Sequence, residues 1–223
     1  MNIRHLLVSG FTVGFMVAAT VGASAHSIGD YPSNGWQYTI LNRVFYTAPN
    51  NWQTSFNART DAAMATWTGL SGSNLSQQRG GVAASDSWAC GAAYDLLAYE
   101  SIPSGALAST TVCTPVNSTV RIRMKTGVSW YTGSSTPNSS GTYDFQGFMT
   151  HELGHAHQAW MFCTSGSSEP CPGGHYDTTY NLPLCDTSTP AQIHTMCRSV
   201  STTNSWRWRS LETHDRDLVE GAY

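Results

Sequence analysis

The chain has 223 residues, with 11 lysines and arginines against 14 aspartates and glutamates and a net charge of −3. This near balance leaves no basic patch for nucleic acid and no polybasic run for an anionic membrane, so we predict neither partner. The length suits one domain with a sizeable core.

The first 25 residues have the pattern of a signal peptide. An apolar run over residues 6–21 follows a short polar start, and Ala23-Ser24-Ala25 supplies the small residues typical of a cleavage site. The run is shorter than the roughly 20 residues that a membrane span needs. We therefore predict a secreted protein, cleaved near Ala25, whose residues 26–223 form a single domain with two lobes around a cleft.

The predicted mature chain contains all six cysteines of the sequence. An even number of cysteines in an exported protein favours disulfides over thiolate metal sites. Many pairings are possible, and the sequence does not choose among them. Pairing in sequential order keeps each loop local, and on that ground we predict the bridges Cys90–Cys113, Cys163–Cys171 and Cys185–Cys197.

The first predicted elements are a strand over Trp36–Phe45 and a helix that follows Pro49-Asn50-Asn51. Gly69 is the predicted C-cap of this helix, and a second strand is predicted over Asn74–Arg79. The apolar residues assigned to the core are Tyr38, Ile40 and Val44 in the strand and Trp52, Phe56, Ala63, Met64 and Trp67 in the helix.

The middle of the chain is less regular. Gly80–Val116 reads as a loop-rich excursion, in which Tyr94–Tyr99 is compatible with either a short helix or a strand. Thr119–Thr126 is the clearest strand, because apolar and basic residues alternate along it. The basic row is interpreted as a solvated face, with the lining of a cleft as the alternative. The order of the elements predicts an α+β domain with a mixed sheet.

A predicted helix over Asp144–Trp160, with Asp144 as its N-cap, carries the pentapeptide His-Glu-Leu-Gly-His. Positions four apart lie on one helix face, so His151 and His155 can hold the same metal ion. Glu152 lies beside them, where its carboxylate can act as a general base on a metal-activated water. A purely structural role would leave two histidines and a glutamate to be satisfied by hydrogen bonds alone, at a high free-energy cost.

With this pentapeptide the sequence resembles the metzincin zinc metallopeptidases. Trp36–Trp67 resembles their first strand and helix, Thr150–Ala156 their active-site helix, Ile193–Cys197 their methionine turn and Thr213–Tyr223 their closing helix. The resemblance implies a mixed twisted sheet with an N-terminal helix, an active-site helix and a short C-terminal helix. It also implies one catalytic Zn²⁺ ion and a protein or peptide substrate. We expect a monomer.

The sequence departs from the family signature after the second histidine. Gln158 stands where the family has a glycine, and Met161 where it has the third ligand. Leishmanolysin-like metzincins carry an insertion before their third histidine, and an insertion of that kind would make His175 the third ligand. The spacing of gluzincins such as thermolysin also leads to His175, although that class uses glutamate. Asp177 is the next candidate and Glu169 a further one.

The resemblance suggests roles for three more residues. Met196 would form the hydrophobic floor of the methionine turn, or is an ordinary core methionine. Arg198 replaces a tyrosine found in some members, and either contacts the oxyanion or substrate or lies on the surface. His194 would ligate the metal or orient substrate, or is a hydrogen-bonded loop residue.

The sequence therefore predicts a secreted zinc-dependent endopeptidase. Two alternatives are open. A mature N-terminal His26 is typical of copper polysaccharide monooxygenases, where the terminal amine and imidazole bind copper. In the second alternative, the chain is a non-catalytic binding module on a peptidase scaffold.

Overall fold

We describe the fold from a computed structural model of the chain. The structure describes residues 42–70, 73–89, 92–102, 106–112, 119–137, 141–156, 195, 205–211 and 216. Within them the chain is an α+β domain with a mostly parallel sheet and few helices. None of the described helices is long and apolar enough to cross a membrane. The signal peptide, His26, the closing helix over 213–223 apart from residue 216 and all six cysteines lie outside the described residues.

Seven strands and two α-helices are described. The strands are β1 (Asn42–Thr47), β2 (Ser76–Val82), β3 (Asp95–Glu100), β4 (Ala108–Val112), β5 (Val120–Lys125), β6 (Trp130–Tyr131) and β7 (Tyr143–Asp144). The helices are α1 (Asn57–Trp67) and α2 (Phe145–Ala156), and two short 3-10 helices cover Thr54–Phe56 and Ser205–Arg209.

The main sheet has five strands in the order β2-β1-β3-β5-β4. β1 is parallel to β2 and β3, β3 is parallel to β5, and β4 runs antiparallel to β5 at one edge. β6 and β7 form a separate parallel pair. β2 and β4 are therefore the two edge strands of the described sheet.

Both helices pack on one face of this sheet. α1 contacts β2, whereas α2 contacts β4 and β5. The core between them joins Leu97 and Ile122 from the sheet to Met64 and Leu153 from the helices. The opposite face is covered by a smaller cluster, which explains why residues 95–98 of β3 are buried on both sides. A strand buried on both faces is typical of the centre of a parallel sheet.

The alternation predicted for Thr119–Thr126 is confirmed, since Val120, Ile122 and Met124 are fully buried in β5. The prediction for the first strand is wrong by one position. Phe45, not Val44, belongs to the main core, because β1 turns the side chains of Arg43, Phe45 and Thr47 inward.

The loop-rich interpretation of Gly80–Val116 is also wrong in part. This span contains two sheet strands, β3 and β4, and Tyr94–Tyr99 belongs mostly to β3 rather than to a helix. β3 is apolar on both faces and β4 consists of small residues, so neither shows the alternation that indicates a strand from sequence.

Hydrogen bonds from two other parts of the chain hold the first half of α2. The indole Nε1–H of Trp67 in α1 donates to the carbonyl oxygen of Thr150 at 2.8 Å. At the N-terminus, Asp144 caps α2 as predicted, since its Oδ1 accepts the Gly147 N–H at 2.7 Å. Asp144 is fully buried and also accepts two bonds from the Arg209 Nε, at 2.9 and 3.0 Å. The 3-10 helix Ser205–Arg209 is thereby fixed against the first turn of α2.

Gly147 makes this close approach possible. A Cβ at this position would collide with the carbonyl oxygen of Ser205 and lie 3.2 Å from the Cβ of Trp208. Both obstacles belong to the same 3-10 helix, and one of them is backbone that has no rotamer to change. The first turn of α2 therefore requires glycine here for steric reasons.

We predict that Gly147→Ala lowers the free energy of unfolding by about 2 kcal/mol, because the added methyl forces the Ser205–Arg209 helix away from α2. Urea denaturation followed by tryptophan fluorescence measures this change. Gly81→Ala is the matched control, since a Cβ there meets nothing within 4 Å. It should change stability by less than about 0.5 kcal/mol. Equal effects of the two substitutions would contradict the steric explanation.

Candidate active site

The site is built on the second half of α2. His151 and Glu152 are 3% and 4% exposed, whereas His155 is only half-buried. The pentapeptide therefore lies between the core and the solvent, with His155 at the more open end. Two ionisable side chains buried on one helix turn require partners, and these partners come from three distant parts of the chain.

The two histidines converge through the same ring atom. The Nε2 atoms of His151 and His155 are 3.1 Å apart, and the two rings are nearly perpendicular, at 88°. A tetrahedral zinc ion with Zn–N bonds of about 2.0–2.1 Å separates two ligand nitrogens by roughly 3.3 Å. The observed separation is close to that spacing, so the two nitrogens can bind one ion together.

A main-chain carbonyl sets the tautomer of His151. The Nδ1 of His151 lies 2.6 Å from the carbonyl oxygen of Thr195, which can only accept a hydrogen bond. Nδ1 therefore carries the proton, and in the neutral ring Nε2 presents its lone pair. Metal-ligating histidines commonly donate their other N–H to a carbonyl in this way.

Thr195 is itself fixed by a second hydrogen bond. Its side chain is fully buried, and its Oγ1 donates to the carbonyl oxygen of Ser210 at 2.6 Å. Ser210 follows the 3-10 helix that Arg209 attaches to Asp144. The orientation of His151 therefore depends on a chain of contacts that returns to the N-terminus of its own helix.

The same 3-10 helix provides an aromatic support. The Trp208 ring stacks on His151 with centroids 4.5 Å apart and planes at 17°, and it is 1% exposed. The Trp208 ring also makes an edge contact with Phe148, at 5.0 Å. A hydrogen bond and a stacked indole together hold the His151 ring in one orientation.

Glu152 is held from the edge strand. The hydroxyl of Thr110 in β4 lies 2.6 Å from Glu152 Oε2 and 3.0 Å from the main-chain oxygen of Glu152. Among the described residues, the second carboxyl oxygen, Oε1, has no hydrogen-bond partner. Burial raises the pKa of the Glu152 carboxyl to about 7, against the opposing effects of the Thr110 hydrogen bond and the Arg123 charge. A carboxyl that ionises near neutral pH is suited to accept and return a proton.

The structure brings together three of the predicted site residues, His151, Glu152 and His155. The remaining predicted ones lie outside the described residues: His175, Asp177, Glu169, His194, Met196 and Arg198. Within the described part of the chain, no group of three or more histidines, cysteines, aspartates and glutamates is placed to hold a metal ion. The third ligand therefore stays a prediction.

Sequence reasoning missed Thr110, Thr195 and Trp208. Thr110 is brought to Glu152 by strand pairing across a sheet, which has no local signal in the sequence. Thr195 had a signal, because it directly precedes the methionine of the suspected methionine turn. The Trp-Arg-Trp-Arg run over residues 206–209 was also visible, and it supplies both the stacked indole and the guanidinium on Asp144.

The comparisons with known proteins do not assign the chain to a family. A scan of the chain against models of protein families finds no match, and a search of curated protein sequences finds none either. The assignment of chemistry consequently depends on the geometry of these side chains.

We predict that Thr195→Val weakens zinc binding by about tenfold or more, because loss of the Ser210 bond releases the carbonyl that orients His151. Competition with a chromophoric zinc chelator measures the affinity. Thr195→Ser keeps the hydroxyl and should bind zinc nearly as well as the unsubstituted chain. A folded Thr195→Val protein with unchanged zinc affinity would show that the carbonyl does not depend on this bond.

Proposed function

We propose that the chain is a secreted zinc-dependent endopeptidase of a metzincin-like kind. The observation that carries this proposal is the 3.1 Å approach of the His151 and His155 Nε2 atoms beside a buried Glu152. In the proposal, His151, His155 and a third ligand, His175 or next Asp177, hold one Zn²⁺ ion. When bound, zinc lowers the pKa of a water molecule and polarises a substrate carbonyl.

The described side chains fit such an ion by their chemistry as well as by their spacing. Two neutral imidazoles are standard zinc ligands, and the Thr195 carbonyl leaves the lone pair of His151 on the nitrogen that faces His155. With no cation between them, two such lone pairs would repel, or one Nε2–H would have to donate to the other. The arrangement is therefore the one that a shared cation favours.

Glu152 moves the proton in the proposed reaction. Its Oε2 is held by Thr110, so Oε1 is the oxygen that takes the proton from the attacking water. As the peptide bond breaks, the same oxygen returns that proton to the leaving amine nitrogen. Because the carboxyl is 4% exposed, bulk water competes little for this proton.

A peptide substrate is supported by the position of β4. This strand contacts Glu152 through Thr110, and its outer edge pairs with no other strand among the described residues. An edge strand offers main-chain N–H and C=O groups that an extended peptide can pair with. In the proposal the substrate lies along β4, with its scissile bond beside Glu152.

The two alternatives are less well supported. The copper monooxygenase interpretation depends on His26, which lies outside the described residues, and it assigns no role to the convergent pair on α2. A binding module needs no carboxyl beside the histidines. Burial of that carboxyl costs free energy, and a binding function does not explain why the cost is borne. The metzincin-like lineage itself is supported by the sequence motifs and by the α+β architecture.

We predict that Glu152→Gln lowers the rate of casein or peptide hydrolysis by at least about 100-fold while the protein still binds one zinc ion. The amide has nearly the shape of the carboxyl but cannot take the proton. Rates from a quenched fluorescent peptide and metal content from elemental analysis of the same sample give the two readouts.

Glu100→Gln is the matched control. It makes the same chemical change at the end of β3, where Glu100 pairs with Arg121, and it should hydrolyse the peptide at the rate of the unsubstituted chain. Undiminished hydrolysis by Glu152→Gln would refute the mechanism. One copper ion per chain, with no zinc and no peptidase activity, would instead favour the oxygenase.

A further inference from the structure

A second polar site lies far from the pentapeptide. A cavity of about 380 Å³ opens between α1 and β2, at the opposite edge of the sheet from β4. With a strand spacing of about 4.8 Å, the two edge strands are roughly 19 Å apart. This cavity is therefore separate from the candidate active site, and the inference drawn from it does not rest on the proposed function.

The distinctive residue of the cavity is Gln77. It is 5% exposed, and among the described residues neither its Oε1 nor its Nε2 has a hydrogen-bond partner. Buried amides are normally paired, because an unpaired donor or acceptor loses its hydrogen bonds to water without replacement. Arg43, its partner in the β1–β2 register, also has a buried Nε–H that donates to no group in the described part of the chain. The two groups lie on adjacent strands, and of these two residues Gln77 is the one that lines the cavity.

The backbone of Gln77, in contrast, is satisfied. Its N–H donates to Thr68 Oγ1 at 2.9 Å, and its carbonyl oxygen accepts from the same hydroxyl at 3.3 Å. Thr68, at the end of α1, therefore satisfies the main-chain groups of Gln77, so that the side-chain carboxamide is the part of this residue left unpaired. An apolar side chain of similar size would pack here without that penalty, so the amide itself is the feature to explain.

The chemistry of Gln77 limits what can pair with it. A carboxamide places one donor and one acceptor side by side, so its full complement is another group with the same arrangement. A primary carboxamide has it. A carboxylate offers only acceptors and an ammonium group only donors, so each would leave one Gln77 atom unpaired. A trans peptide group directs its N–H and C=O in opposite directions and cannot pair with both atoms at once.

The walls of the cavity favour glutamine over asparagine. Met64 and Ala65 of α1 supply an apolar lining that suits the methylene groups of a longer side chain. At the rim, Arg79 and Asp61 already neutralise each other through two bonds of 2.9 Å, so no net charge is left for a ligand to balance.

The strand beside the cavity is suited to hold a peptide. Thr68 covers the main chain of β2 at Gln77, but β2 pairs only with β1 among the described strands, so its other edge is open to an extended segment after Gln77. It ends in Gly80, Gly81 and Val82, and Val82 is 67% exposed, an unusual exposure for a large apolar side chain. We propose that this edge binds an extended peptide segment and that the cavity receives the side-chain carboxamide of a glutamine in that segment.

The test compares three capped tripeptides with full-length Glu152→Gln protein, so that no peptide is cleaved. The central residue of N-acetyl-Val-Xaa-Val-N-methylamide is glutamine, norleucine or glutamate, and NMR titration of the protein gives each dissociation constant. The glutamine peptide should bind at least about tenfold more tightly than the other two, because only it pairs both atoms of Gln77.

Substitution of Gln77 supplies the second part of the test. Gln77→Met should remove the preference for glutamine, whereas Gln53→Met, at an exposed glutamine outside β2 and outside the cavity, should retain it. Equal binding of the three peptides to the unsubstituted cavity would overturn the proposal, and so would a crystal structure in which water alone pairs with Gln77 in the presence of the glutamine peptide. Peptide binding at this cavity is measured without reference to the zinc content or proteolytic activity of the unsubstituted chain. The peptide-binding proposal and the peptidase proposal can therefore be refuted independently of each other.

Discussion

The buried ion pair between Asp144 and Arg209 joins the two parts of the chain that form the candidate site. One carboxylate caps α2 through the Gly147 N–H and accepts two bonds from the Arg209 guanidinium. The same guanidinium donates to the carbonyl oxygens of Gly133 and Ser134, so it also fixes the loop that precedes β7. Removal of either partner would leave a buried charge unpaired, and this lowers the free energy of unfolding more than replacement of both partners by apolar residues. The packing of the Ser205–Arg209 helix on α2 depends on this contact.

The positions of the side chains around His151 depend on that ion pair. Because the Ser205–Arg209 helix is fixed, Trp208 lies against His151, and Ser210 holds the Thr195 hydroxyl. The Thr195 carbonyl then determines which nitrogen of His151 faces His155. Glu152 is positioned independently, from β4 at the edge of the sheet. The histidine and the glutamate of one helix turn thus have separate supports, one from the C-terminal part of the chain and one from the sheet.

Local patterns predicted the elements whose signals are local. The Asp144 cap, the helix that bears His151, and the alternation of β5 each occupy a short window, and the structure agrees with all three. β3 and β4 were missed because a strand buried on both faces and a strand of small residues have no period to detect. The contacts of Glu152 with Thr110 and of His151 with Thr195 join residues 42 and 44 positions apart, a distance over which no spacing rule applies. The pentapeptide could therefore be recognised from sequence, whereas its contacts with Thr110 and Thr195 could not.

Buried polar side chains in this domain differ in what satisfies them. Asp144 has Arg209 and the Gly147 N–H, and Asp95 has Arg43 and the Val120 N–H, so both are accounted for by the fold alone. Among the described residues, Glu152 has a hydrogen bond at one carboxyl oxygen, and Gln77 has none at either side-chain atom. A fold that pairs its structural carboxylates this fully has no stability reason to keep an incompletely paired glutamate and glutamine in its interior. The two proposals would supply partners for these atoms, at Glu152 beside the histidine pair and at Gln77 near the opposite edge of the sheet.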